Sequence, residues 1–277
     1  MNLERYNRPI FFYLMSLIIP WCLWLFVAYL SHLENRDVWL QAIQAGLGMM
    51  GLISPVLVAG YLFSRDRSLI EDLKVRFLSF AGFPVRYTFI TLLLIPVSII
   101  AAQLLSVLIG HGLEQFVISG RPTFTSMLLP PWFILLFAPV VEEIAWHSYG
   151  TDTLRRRFNL FTTSMIFAAY WVVWHIPLAF IKGYYQSNVI AEGPIHSLNF
   201  AFSLFVFVIL MNWLYYKTNR SIVVAVLFHL TANISNEIFA THPDSKVIQT
   251  AILLLVSGYV LIAEREMFFS KTLPTNA

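Results

Sequence analysis

Eight stretches of mostly apolar residues follow one another along this chain, each near the length of about 20 residues that an α-helix needs to cross the hydrocarbon of a bilayer. They read as residues 10–30, 38–63, 87–110, 127–149, 158–181, 197–216, 221–240 and 246–263. In lipid, backbone polar groups must find their partners within the chain. The expected fold is therefore all-α, a polytopic membrane helix bundle with about eight transmembrane helices. Composition agrees: hydrophobic residues make up 58% and charged residues 12%, where soluble domains carry charge at about a quarter of positions, and mean hydropathy is +0.71. No polar block is long enough for a second domain, so residues 1–277 are expected to form a single integral-membrane domain. The first apolar segment lacks a small-residue cleavage pattern and reads as a mature helix, not a signal peptide.

Loop charges set the expected orientation. With the N-terminus inside, fourteen Lys and Arg fall on the inner side, among them Arg5, Arg8, Arg76, Arg155, Arg156, Arg157 and Arg220. Only Arg36, Arg121, Lys182 and Lys246 fall outside. The bias places both termini in the cytoplasm, in a multi-pass protein of the cell membrane. It also accounts for the net charge of +3, and with no basic patch interleaved with aromatics, no nucleic-acid partner is expected. Between the second and third spans, Leu69, Leu73, Phe77 and Phe80 recur at helical spacing beside Lys74 and Arg76. That pattern suits an amphipathic helix on anionic lipid, or a solvated loop. The single cysteine, Cys22, excludes an intrachain disulfide and any cysteine metal cluster. Gly46, Gly48 and Gly51 are compatible with either a helix contact or flexibility.

Against this apolar background the residues 133–149, FILLFAPVVEEIAWHSY, carry two adjacent glutamates, Glu142 and Glu143. A carboxylate in hydrocarbon is costly and marks a functional site by default. Glu142 precedes Phe158 by 16 residues and His175 follows Asn159 by 16, so a hairpin turning at 158–159 brings both to one level, roughly 24 Å from its tip. His229 lies early in the seventh apolar segment, with Asn233 one turn further on the same face. Three helices are thus expected to converge in one layer of the cytoplasmic half. Glu143 and His147, at i and i+4, are placed to pair behind Glu142, either in support of the site or as a structural ion pair. Trp146, Tyr149 and Trp171 are expected to line the cavity, although aromatic walls are more often packing than chemistry.

A carboxylate in low-dielectric surroundings holds a proton more readily than one in water, and beside a histidine it can act as a general base toward water. A second histidine with an asparagine amide can donate hydrogen bonds to a developing oxyanion. Glu142 and His175 would then activate water, and His229 and Asn233 would stabilise a tetrahedral intermediate, with no cofactor and no metal. Two alternatives stay open. Glu142, His175 and His229 could ligate a catalytic zinc, although no H-E-x-x-H helix is present. A non-enzymatic transporter or immunity protein could use the same polar layer to relay protons or bind a peptide. Pro130, Pro131, Pro139 and Pro177 interrupt segments, but not in the symmetric halves that broken-helix transporters show.

Glu142–Glu143–Ile144–Ala145–Trp146–His147, then Trp171–Val172–Val173–Trp174–His175, then His229–Leu230–Thr231–Ala232–Asn233, resemble the three ordered motifs of the type II CAAX prenyl endopeptidases. These are the CPBP or Abi family of intramembrane glutamic proteases. The similarity runs from Phe133 to Glu237, within a motif-bearing core of about 127–240. Two positions depart from the family pattern: His147 stands where EExxxR has Arg, and Trp171 where FxxxH has Phe. The resemblance implies cleavage of a prenylated CAAX C-terminus after the lipidated Cys, with membrane lipid as surroundings. It assigns water activation to Glu142 and His175 and the oxyanion hole to His229 and Asn233. Compact size and charge pattern look prokaryotic, and a cavity open to the cytoplasmic leaflet is expected.

Overall fold

The structure is a computed structural model that describes residues 3–34, 37–78, 84–126 and 128–271. Among the described residues the regular elements are helices, with one isolated antiparallel bridge between Ile118 and Phe239. The helices are α1 (Pro9–Ser31), α2 (Val38–Ser64), α3 (Arg67–Leu78), α4 (Val85–Leu108), α5 (Pro131–Ala145), α6 (Thr151–Arg155), α7 (Leu160–His175), α8 (Tyr185–Ala191), α9 (Pro194–Lys217), α10 (Ile222–Ile238), α11 (Pro243–Ala263) and α12 (Arg265–Phe269). Local chemistry sets their starts. Proline occupies the first turn of α1, α5, α9 and α11, where its missing N–H leaves no partner wanting. Asp37 caps α2 by accepting from Leu40 N at 2.8 Å, and Asn159 caps α7 by accepting from Thr162 N at 2.8 Å.

Among the described residues, six helices are long and apolar enough to cross a membrane: Pro9–Ser31, Val38–Ser64, Val85–Leu108, Leu160–Phe180, Pro194–Lys217 and Pro243–Ala263. The count of eight is not confirmed. The two expected spans that fall short are the ones bearing most of the polar motif residues. α5 has 15 residues before a π-helical turn, Trp146–Gly150, leads into α6, and α10 has 17. They pack against each other, with α2 beside α5 and with α4 and α9 beside α10. Neighbouring protein therefore covers much of their surface, and a long lipid-facing apolar run is not required of them.

The outer helices are apolar on their exposed faces, as at Leu25, Phe26, Leu104, Leu105, Leu255 and Ile262, while small or polar residues such as Ser16, Ser54, Ser98 and Gln103 are buried between helices. This is the pattern expected where lipid, not water, surrounds a bundle. Gly51 settles one sequence question: a Cβ there would lie 2.3 Å from Trp24 Nε1, so α1 and α2 meet closely at this residue. Trp24 Nε1 also donates to Gly48 O at 3.0 Å. Gly46 and Gly48 have open space where a Cβ would stand.

The amphipathic segment forms α3, but its apolar side turns inward. Leu69 is buried and Leu73 and Phe77 pack on the core, so this face is covered by protein; Phe80 lies outside the described residues. The reason is electrostatic as much as apolar. Arg76 of α3 is buried and reaches Asp152, and Asp72 pairs with Arg220 at 3.0 Å. Burial pushes the Asp72 carboxyl up, but the Arg220 and Arg76 guanidinium groups outweigh it and hold Asp72 below its usual value.

Candidate active site

Glu142, His175, His229 and Asn233 all line one cavity of about 290 Å³, together with Trp171. Three helices deliver them: Glu142 near the end of α5, His175 at the end of α7, and His229 and Asn233 one turn apart on α10. The Glu142 carboxylate accepts from the indole N–H of Trp171 at 3.0 Å and of Trp146 at 3.5 Å, both onto Oε2. Trp171 is thus more than an aromatic exchange for the family Phe. Its ring supplies a donor that phenylalanine lacks.

His175 Nδ1 lies 2.7 Å from Trp171 O. A carbonyl only accepts, so Nδ1 carries the hydrogen, and in the neutral ring Nε2 is left with its lone pair. Asn233 Nδ2 donates one hydrogen to Leu135 O at 3.1 Å and has a second to offer.

Behind these residues runs a chain of polar contacts that spacing only partly foreshadows. Glu143 is fully buried and is held from two sides. His147 Nδ1 makes a short hydrogen bond to Oε2, as the i,i+4 spacing suggests, and His229 Nδ1 donates to Oε1 at 2.7 Å. On its other side, His147 Nε2 faces Asn212 Oδ1 at 3.1 Å, and Asn212 Nδ2 donates to Ser164 Oγ at 2.9 Å. Both ring nitrogens of His147 therefore face oxygens, so one ring engages Glu143 and Asn212 at once. Asn212 and Ser164 carry no motif signal. An asparagine within the long apolar run of α9 was the one visible hint.

One expectation fails. Trp146 and Tyr149 do not line the cavity. Trp146 is completely buried among Phe12, Phe167, Tyr170 and Trp174, and only its N–H reaches Glu142. Tyr149 accepts from Arg8 N at 3.1 Å and packs on Tyr6, Phe12 and Phe63, tying down the N-terminal segment. The physical reason is the π turn from Trp146 to Gly150, whose wider winding breaks the 3.6-residue face that i+7 spacing assumes.

The cavity also has a direction within the bundle. The Arg155–Arg157 turn lies at the end that also holds the N-terminal segment, α3 and Arg220, joined by Arg156–Glu4, Arg5–Ser68 and Arg220–Asp72 contacts. The cavity lies in the opposite half, between the site residues and the loops after α4, α7 and α10, where Thr125, Tyr184, Tyr185 and Lys246 line it. The cavity thus opens away from the arginine turn, while His229, between Ile222 and Ile238, stands near the middle of α10. His175 is five residues before the end of its helical run at Phe180, on the side away from Arg157.

The zinc alternative finds no prepared ligand set. Among the described residues, the group of three His, Cys, Asp or Glu whose ligand atoms all lie within 4.8 Å of one another is His111, His242 and Asp244, not Glu142, His175 and His229.

Comparison with known proteins bears directly on this cavity. The family model described as Type II CAAX prenyl endopeptidase Rce1-like matches residues 124–235, the stretch that carries all three motifs. CAAX prenyl protease 2 of Methanococcus maripaludis is 31% identical over 268 residues, covering 96% of this chain and 97% of its own length. The chain belongs to the type II CAAX prenyl endopeptidase family. As a member of that family it is a multi-pass membrane protease, and its endopeptidase motifs fall on α5, α7 and α10 around one cavity.

Proposed function

We propose that this endopeptidase cleaves prenylated CAAX-type C-termini after the lipidated Cys, using water activated by Glu142 and His175. The observation that carries the reading is the meeting of Glu142, His175, His229 and Asn233 on one cavity. The Glu142 carboxylate and the lone pair of His175 Nε2 share the proton of a water whose oxygen attacks the scissile carbonyl carbon. The carbonyl electrons move to oxygen, and the free N–H of Asn233 donates to that oxyanion. His229 already gives its Nδ1–H to Glu143, so it donates through Nε2 as the imidazolium, a form that the Glu143 carboxylate stabilises. Collapse breaks the C–N bond, and the leaving amine takes the proton from the Glu142–His175 pair. Glu143 is in this account a positioning residue, and His147 fixes it.

We read the helical run 131–155 and α10 as two further spans sheltered by the outer helices, which gives about eight. The relative's printed name supports the prenylated substrate, and the mixed apolar and polar cavity suits a lipidated peptide. Purified wild type should release the C-terminal tripeptide from a farnesylated CAAX peptide, before and after strong chelation. Binding without cleavage would turn the reading to a peptide-binding or transport role, and cleavage lost on chelation and restored by zinc would turn it to a metalloprotease.

Orientation decides where the substrate lives. The excess of Lys and Arg puts the arginine end in the cytoplasm, and the cavity then faces the opposite half of the membrane. A cysteine at Arg156 should accordingly be labelled by an impermeant reagent only from the cytoplasmic side. The natural substrate would then present its C-terminus from the other face. Labelling of Arg156→Cys only from outside would reverse the topology and open the cavity to cytoplasmic CAAX proteins.

A further inference from the structure

At the cavity end of the bundle, and apart from the residues assigned to catalysis, four side chains converge from three parts of the chain. His111 follows α4, His196 lies in the first turn of α9, and His242 and Asp244 open α11. The Asp244 carboxylate is their centre. Its Oδ2 is 3.3 Å from His111 Nε2 and 3.7 Å from His242 Nδ1, and its Oδ1 is 3.7 Å from His196 Nε2. The ligand atoms of His111, His242 and Asp244 all lie within 4.8 Å of one another.

We propose that His111, His196, His242 and Asp244 form a binding site for a divalent first-row transition metal of the zinc class, separate from the catalytic residues. Zinc takes four nitrogen, oxygen or sulfur ligands at about 2.0–2.2 Å in a tetrahedron, whose edges are then roughly 3.4 Å. The separations about Asp244 are within a few tenths of an ångström of that edge; His196, which meets Oδ1 and not Oδ2, would turn furthest to join the shell, and a metal would replace the 3.2 Å contact from Asp244 N to His242 Nδ1. Three imidazoles and one carboxylate select zinc, cobalt, nickel or copper over magnesium and calcium, which prefer all-oxygen sites. The His111 and His242 rings lie 4.0 Å apart at 34°, which brings two imidazoles to one side of the carboxylate. The nearby ammonium of Lys246 is directed elsewhere, to Glu237 at 3.6 Å and over the Tyr185 ring. No cation of the protein therefore needs to be displaced from Asp244.

The position gives the metal a job. His196 and Pro243 border the cavity, so an ion shared by α9, α11 and the segment after α4 would tie these elements together at its rim. The bound metal would hold the rim in one arrangement without touching the reacting atoms. This inference stands whether or not the catalytic assignment is right.

The test uses tag-free full-length protein in detergent, stripped with chelator and titrated with Co²⁺. One equivalent should produce the visible absorption of four-coordinate cobalt, and Zn²⁺ should abolish it by displacement. Asp244→Asn and His111→Ala should each weaken binding by more than the roughly 10–100-fold that loss of an outer-shell partner costs at a metal site. Both variants should still cleave farnesylated CAAX peptide in metal-free buffer, which shows that they fold. His196→Ala should alter the cobalt spectrum, as expected of the fourth ligand. The proposal is overturned if wild type shows no saturable cobalt band, or if the band persists in Asp244→Asn and His111→Ala. It is equally overturned if the band disappears in His175→Ala or His229→Ala instead, because the metal would then sit at the catalytic cavity.

Discussion

Glu142 and Asp152 lie ten residues apart on one helical run, both buried, and their surroundings could hardly differ more. Asp152 is compensated on both oxygens. Oδ1 accepts from Tyr216 at 2.8 Å and Arg220 Nε at 3.2 Å, and Oδ2 accepts from Arg76 at 3.1 Å, from Tyr215 at 3.1 Å and from the Arg220 fork. Glu142 has two neutral indole donors on a single oxygen, and among the described residues no arginine or lysine pairs with it. A buried carboxylate between two guanidinium groups is fixed in place, whereas one held by neutral donors beside a cavity is within reach of a reacting group. The same residue class thus serves structure at one end of the bundle and, we propose, chemistry at the other.

The largest effect should come from breaking the compensated pair. Asp152→Asn strands Arg76 and Arg220 in the interior and should cost about 3–5 kcal/mol of stability, the usual result of removing one partner of a buried pair. Thermal unfolding in detergent should show the loss, while the folded fraction keeps its turnover. Normal unfolding with abolished turnover would contradict the division of roles. Arg76 also donates to His147 O and Ser148 O at 2.8 Å each, so this network secures the π turn that follows Glu143.

A middle-sized effect is expected at His147. Hydrogen bonds to charged groups contribute about 1.5–3 kcal/mol, so His147→Ala should lower turnover roughly tenfold to a hundredfold by releasing Glu143. His147→Arg should stay within a few-fold of wild type, because arginine occupies this place in the family pattern and can also hold Glu143. Inactivity of a well-folded His147→Arg would give His147 a direct role in the reaction.

Smallest is Trp171→Phe, which removes the 3.0 Å donor to Glu142 and leaves the 3.5 Å one from Trp146. A neutral hydrogen bond contributes about 0.5–1.5 kcal/mol net, so the expected loss in turnover is up to roughly tenfold. No change at all would mean that the indole N–H serves packing alone.

The legibility of the two regions differs as much as their chemistry. Glu142, His175, His229 and Asn233 could be picked out because each is a polar residue inside an apolar run, and hairpin arithmetic put the first two at one level. Their common cavity follows from helix geometry that spacing encodes. The Asp152 network could not be read this way. Its partners Tyr6, Arg76, Tyr215 and Arg220 lie 63 to 146 residues away and sit at segment ends where charge is ordinary. The inward turn of α3 was hidden for the same reason. Tyr149 escapes the face that spacing assigns it because a π turn leaves no composition signal, and hydropathy alone does not tell whether α5 and α10 meet lipid or neighbouring helices. The end at which the cavity lies depends on which side of the site the helices stop short, and no single segment records that.

The role of the lightly compensated carboxylate as the base is tested most directly by Glu142→Gln. Glutamine keeps the shape and can still accept the indole hydrogen bonds, but it cannot take the proton of water. Single-turnover cleavage of a farnesylated CAAX peptide should fall by at least the roughly 10²–10⁴-fold expected for loss of a general base, with peptide affinity changed only a few-fold. Cleavage by Glu142→Gln at a rate comparable to wild type would contradict the assignment.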